Sequence, residues 1–184
     1  MKHGPTRAAI VAGALLSVLG ALALAAQDKY TVKVPNGLAF AEFKGYKTWQ
    51  LVSISHNGSL MAVTLANPEM IKAYQAGVPR NGEQFPDGAK LAKIHWTLKK
   101  LETFPEATVP NTQHDIDLMV KDSKRFADSG GWGYAEFEYD AASNTFRPGT
   151  ASDAPPQQND AKCGFACHTI VKARDYVFTE YAHR

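Results

Sequence analysis

Lys47-Thr-Trp-Gln-Leu-Val-Ser-Ile-Ser-His56, then Asn57-Gly58, then Leu60-Met-Ala-Val-Thr-Leu-Ala66, is the stretch on which the architecture turns. Its first ten residues contain the apolar–polar alternation of a half-buried strand. Asn-Gly is the strongest two-residue hairpin signal, and Leu60 to Ala66 reads as the return strand. A helix follows directly. Asn67 suits its N-cap, Pro68 its first position, and Met70, Ile71, Ala73 and Tyr74 its apolar face, with Gly77 and Pro79 closing it.

Further along, Phe85-Pro86-Asp87-Gly88 is a turn. Ala89 to Leu98 is a strand with Leu91, Lys93, His95 and Thr97 on one face and Ala92, Ile94, Trp96 and Leu98 on the other. Residues 99–113, which contain Pro105 and Pro110, read as a loop, and His114 to Lys121 as another strand. Asp122 is placed to cap a short helix through Phe126, which Gly130-Gly131 breaks. Trp132 to Tyr139 alternates as a strand does. Residues 141–162, with Pro148, Pro155 and Pro156, read as a connector, and Tyr176 to Tyr181 as an aromatic-rich terminal strand. The expected class is α+β: one domain, mainly antiparallel β-sheet, with a few short helices packed on it.

The chain opens with Lys2 and Arg7, then an almost unbroken apolar run from Ala8 to Ala26. Ala23-Leu24-Ala25 supplies a small-x-small cleavage pattern, and Gln27-Asp28-Lys29 ends the run. Residues 1–25 therefore read as a secretory signal peptide and 26–184 as the exported, periplasmic domain. An uncleaved membrane anchor is the alternative. Without residues 1–25, Lys and Arg balance the 18 Asp and Glu, so no basic surface for nucleic acid is expected.

Only two cysteines are present, in Cys163-Gly164-Phe165-Ala166-Cys167-His168. One short-range pair does little to staple a domain of this size, so it calls for a chemical role. Covalent haem attachment needs two thiols for the porphyrin vinyl groups and an imidazole beside them for the iron. The usual spacer is two residues; here it is three, and Gly164 is expected to take up unusual backbone angles. A local disulfide with a surface His168, a zinc site and a thiol-redox site are the competing readings.

Four stretches in succession resemble the cytochrome P-460 family of small periplasmic c-type cytochromes. They are Tyr46-Lys47-Thr48-Trp49; Asn67-Pro68-Glu69 leading into Phe85-Pro86-Asp87-Gly88 and Lys93; Val120 to Ala127 with Trp132 behind it; and Cys167-His168 followed by Asp175 to Thr179. The resemblance implies haem c, with Cys163 and Cys167 as attachment residues and His168 as the iron ligand. It puts Lys93 on the lysine that hydroxylamine-oxidising members bond to the porphyrin edge. It puts Asp117 on the distal carboxylate those members use in proton transfer, and suggests a homodimer. Ala62 stands where a family arginine is expected.

A single protein ligand leaves one iron face open to hydroxylamine or nitric oxide. The expectation is an oxidoreductase acting on hydroxylamine or a related small nitrogen compound and passing electrons to a periplasmic acceptor. A non-catalytic binder of nitric oxide or carbon monoxide, an electron carrier and a haem-free disulfide protein are the alternatives. His56, His95, His114, Met61, Met70 and Met119 are rival iron ligands, with His95 foremost because it shares a predicted face with Lys93. Trp49, Trp96, Trp132 and Phe137 are expected to line the core or the haem pocket.

Overall fold

The computed structural model describes residues 26–34, 37–149 and 159–182, with side chains from Gly164 onward in the last stretch. The expected signal peptide, most of the Pro-rich part of the connector and the Cys163 side chain lie outside the described residues. Among the described residues no helix is long and apolar enough to cross a membrane.

Among the described residues six antiparallel strands follow one another in chain order: β1 (Gln50–Asn57), β2 (Leu60–Ala66), β3 (Lys90–Leu101), β4 (Phe104–Lys121), β5 (Trp132–Asp140) and β6 (Thr145–Pro148). Among the described residues two α-helices accompany them, α1 (Pro68–Gln75) and α2 (Asn159–His168). The class is α+β, as the alternation of the strands implied. The opening hairpin forms as read, with Gly58 and Ser59 between the paired Asn57 and Leu60. Asn67 caps α1 by accepting from the Met70 N–H, and Pro68 takes the first turn, where its missing N–H costs nothing.

Side-chain alternation supplies a core on each face of the sheet. Leu91, Met119, Trp132 and Tyr134 pack beneath α1 and the C-terminal segment. Ala92, Ile94, Ile116 and Phe137 pack against Phe40, Phe43 and Tyr46 from the N-terminal segment. Trp49 and Trp96 edge this second core.

Four expectations are corrected. Residues 99–113 are mostly strand, not loop: β3 runs to Leu101 and β4 begins at Phe104. Pro105 and Pro110 fit because β5 pairs only with Asp115 to Lys121, so this part of β4 is an edge where an absent N–H is tolerated. Within the expected connector, Thr145–Pro148 forms β6, seated by the buried Phe146. Asp122 caps a turn, accepting from the N–H groups of Lys124 and Arg125, and only a 3-10 turn at Ala127–Ser129 follows. Tyr176 to Tyr181 joins no strand ladder. Asp175 and Tyr176 adopt left-handed backbone (φ 49° and 62°), and the segment beyond them packs through side chains, Val177 being buried.

That segment is tied down by a buried ion pair. Lys121 Nζ lies 2.7 Å from Asp175 Oδ1, and both side chains are at most 3% exposed. The ammonium also donates to the Gly130 carbonyl and sits 5.2 Å from the centre of the Trp132 ring. Asp175 Oδ2 accepts from the Phe85 N–H at 2.9 Å. Gly130 is required nearby because a Cβ there would stand 2.2 Å from the Tyr176 ring. Removing one member of such a pair strands the other charge out of water. Lys121→Met should therefore cost about 3–5 kcal/mol in equilibrium urea unfolding, whereas Lys124→Met should be nearly neutral, since it is exposed.

Candidate functional site

A cavity of about 600 Å³ opens between the sheet, α2 and the C-terminal segment. Its volume lies within the roughly 300–1,000 Å³ usual for cofactor and small-ligand sites. Leu91, Met119, Tyr134, Val177 and Phe178 supply apolar walls. Lys93, Asp117, Cys167 and His168 all line it, so four of the five residues singled out in the sequence converge on one space. The fifth, Cys163, stands one helical turn before Cys167 in α2.

His168 closes α2 and is held on three sides. Its Nδ1–H donates to the Tyr176 carbonyl at 2.5 Å. Its ring lies 5.0 Å from that of Tyr134 and 4.9 Å, edge-on, from that of Phe178. Fixing the proton on Nδ1 leaves Nε2 with its lone pair, the arrangement a metal-binding histidine needs. Burial pushes the imidazole pKa below its ordinary value; the Tyr176 hydrogen bond opposes this and the charge of Lys93 adds to it. The neutral ring is thus the favoured form, and neutral imidazole is what binds metal.

The three-residue spacer has a plain structural counterpart. In an α-helix, positions four apart are neighbours one turn up, so Cys163 and Cys167 follow the periodicity of α2. Gly164 does not adopt the unusual backbone expected of it. It sits within the helix and lets α2 approach the sheet, since a Cβ there would stand 3.1 Å from Cβ and Cγ of Tyr134.

Lys93 and Asp117 are direct partners across β3 and β4, and Asp117 is the direct partner of Glu136 on β5. All three line the cavity. Asp117 is about half-buried, neither a fully solvated edge charge nor a core carboxylate. Glu136 was missed by reasoning from sequence. The alternation along β5 held the signal, but only the register across β4 shows that Glu136 faces Asp117.

The rival iron ligands mostly lie elsewhere. His56 is exposed on β1, and Met61 and Met70 are not in the cavity wall. His95 and His114 both bond Asp115 through Nδ1, beside the cavity rather than in its lining. Two hydrogen bonds from these imidazoles hold the Asp115 carboxyl below the usual carboxylate range, even though burial, the largest single influence, pushes it up. Met119 does line the cavity, but it is the cross-strand partner of Tyr134, on whose ring His168 packs. It belongs to the same wall as the imidazole. Trp132 and Phe137 are core residues, as expected, and not cavity lining.

The family model for Cytochrome P460 matches residues 43–179. The chain belongs to the Cytochrome P460 family. It matches none of the curated proteins compared with it. Membership identifies a haem protein, in a family for which hydroxylamine oxidation is a known activity. The residues present fit that group. A neutral imidazole anchored through Nδ1, an exposed thiol at Cys167 and an apolar wall that leaves Phe178 half in solvent are what a porphyrin would use and cover.

The direction of the His168 shift sets a pH dependence for protein lacking haem. A folded-state pKa below the ordinary 6.5 means that the unfolded chain binds the proton more readily. Stability is then full above about pH 6.5 and is lost as pH falls from there toward the folded-state value. Urea unfolding of the apoprotein at about pH 5 and about pH 7.5 should show this loss, and His168→Gln should shrink the difference.

Proposed function

We propose that this chain is an exported c-type cytochrome that oxidises hydroxylamine or a related small nitrogen compound at an open iron face. One observation carries the reading: Lys93 and Asp117, paired across two strands, share a cavity with Cys167 and His168. Bound haem would supply a redox-active iron and an extended π-system that accepts electrons. His168 would hold the iron through Nε2, its ring kept from turning by Tyr176, Tyr134 and Phe178. Cys167, with Cys163 a turn before it, would anchor the macrocycle through thioethers.

Lys93 would meet the porphyrin edge with its ammonium or amine. Asp117 would take the proton released as the substrate nitrogen or oxygen is oxidised, a task suited to a carboxylate that lines the cavity yet keeps contact with solvent. Glu136, next in the row, would receive that proton or hold the substrate's N–H groups. The apolar walls would keep bulk water from the reacting atoms. Electrons would leave to a periplasmic acceptor. The electron-carrier reading loses support because Met119 stands on the wall of His168.

Two outcomes are expected from purified, haem-loaded protein. His168→Ala should abolish the five-coordinate signal and ligand uptake at the iron while intact mass still shows attached haem; coincident wild-type and mutant spectra would exclude His168 as ligand. Asp117→Asn should lower hydroxylamine-dependent reduction of an acceptor by about 10²–10⁴-fold with the absorption spectrum unchanged. An ordinary c-type spectrum in the wild type, with no acceptor reduction, would overturn the proposal.

A further inference from the structure

A second group of chemically able side chains lies at the rim of the cavity, on β3 and β4. His95 stands directly across from Asp115, and its Nδ1 meets Asp115 Oδ1. Asp117, two residues along β4, brings Oδ2 to 3.8 Å from the same nitrogen. Asp115 Oδ2 meets His114 Nδ1 at 2.5 Å. Consecutive strand residues ordinarily face opposite sides of a sheet. Here the ladder slips: His95 pairs with Asp115 and Trp96 with Gln113, so His114 has no ladder partner. An extra residue of this kind re-aims a side chain, and bulges commonly do so beside functional sites.

We propose that His95, Asp115 and Asp117 bind one divalent transition-metal ion of the zinc class, with His114 steadying the far oxygen of Asp115. One ligand atom from each of the three lies within 4.8 Å of the other two. Around a tetrahedral zinc, bonds of about 2.0–2.1 Å put ligand atoms roughly 3.3 Å apart, so small side-chain rotations close the shell. The donor set selects the ion. Imidazole nitrogen with carboxylate oxygen suits zinc-class ions, whereas magnesium and calcium take oxygen ligands. Two carboxylates gathered at one point supply negative charge for a cation to offset.

Burial is graded in a way that suits entry. The His95 and Asp115 side chains are 14% and 8% exposed, while Asp117 is 43% exposed and faces the opening. The ion would enter from the Asp117 side and keep a position there for water. His95 Nδ1–H donates to Asp115 in the metal-free protein, so for the ion to take Nδ1 the ring proton moves to Nε2, the other tautomer of the same imidazole. The donors sit on paired strands and not on α2, so the ion's binding does not require haem, although Asp117 is shared with the proton-transfer role proposed above.

The test is zinc titration of the purified full chain after removal of metal by chelation, followed by calorimetry, with bound zinc counted by elemental analysis. One zinc per chain is expected. Asp117→Asn, on the exposed side, and His95→Gln should each weaken binding by about 10–100-fold or more. Far-UV circular dichroism serves as the control for folding. His114→Ala should weaken binding less than either. Absence of saturable one-to-one binding in the wild type would overturn the proposal. Binding that both Asp117→Asn and His95→Gln leave intact, or that only His168→Ala removes, would do the same.

Discussion

The Lys121–Asp175 ion pair is the constraint on which the site depends. Each charge, left alone at this depth, would cost several kcal/mol. Each is instead fully engaged, Lys121 by Asp175, the Gly130 carbonyl and the Trp132 ring, and Asp175 by Lys121 and the Phe85 N–H. Three separate turns and the end of β4 are thereby gathered at one point. Asp175 and Tyr176 both take left-handed backbone, at a cost of about 1–3 kcal/mol each. Such a conformation persists only where surrounding contacts over-determine it. The gain is position: the chain leaves this point directed across the cavity.

The other half of the site is set by strand register. Lys93, Asp117 and Glu136 come from three different strands yet form one row, because β3, β4 and β5 are antiparallel and in fixed alignment. A one-residue slip of β4 would turn Asp117 away and bring Ile116 or Leu118 in its place. The slip is opposed by the core behind the row, where Ile94, Ile116 and Phe137 are buried on the opposite face. The polar row therefore inherits its precision from apolar packing that it never touches. α2 is set against the same sheet by the close approach of Gly164 to Tyr134. Imidazole, thiol, amine and carboxylates are thus carried on a helix and strands rather than on flexible loops.

Much of this was legible in the residues. The opening hairpin, α1 with its Asn67 cap and the strand from Trp132 all follow from local pattern, where period and punctuation agree. The residues marked by family likeness proved to be neighbours: Asp87 accepts from the N–H and hydroxyl of Ser123, and Phe85, Lys121 and Asp175 meet in the buried pair. What was not legible depends on partners distant in sequence. Pro105 and Pro110 suggested a loop because nothing local reveals that they lie on a strand edge. Tyr176 to Tyr181 suggested a strand because aromatic content does not reveal a missing ladder. Glu136 could be placed on a face of its strand by alternation but not beside Asp117, since a charged residue on an alternating strand ordinarily faces water and only the register joins the two. Gly164 was rightly marked as special but for the wrong reason, tight packing rather than backbone bending.

His168 is steered by a main-chain oxygen, and this bears on how such a protein varies over time. A side-chain acceptor can be lost through one codon change; the Tyr176 carbonyl is supplied by whatever residue occupies that place. The electron-donating strength of the imidazole is therefore insulated from drift at that position and answers only to changes in the path of the chain. Natural variants that retune it should be sought among the residues that hold the bend, Gly130, Lys121 and Asp175.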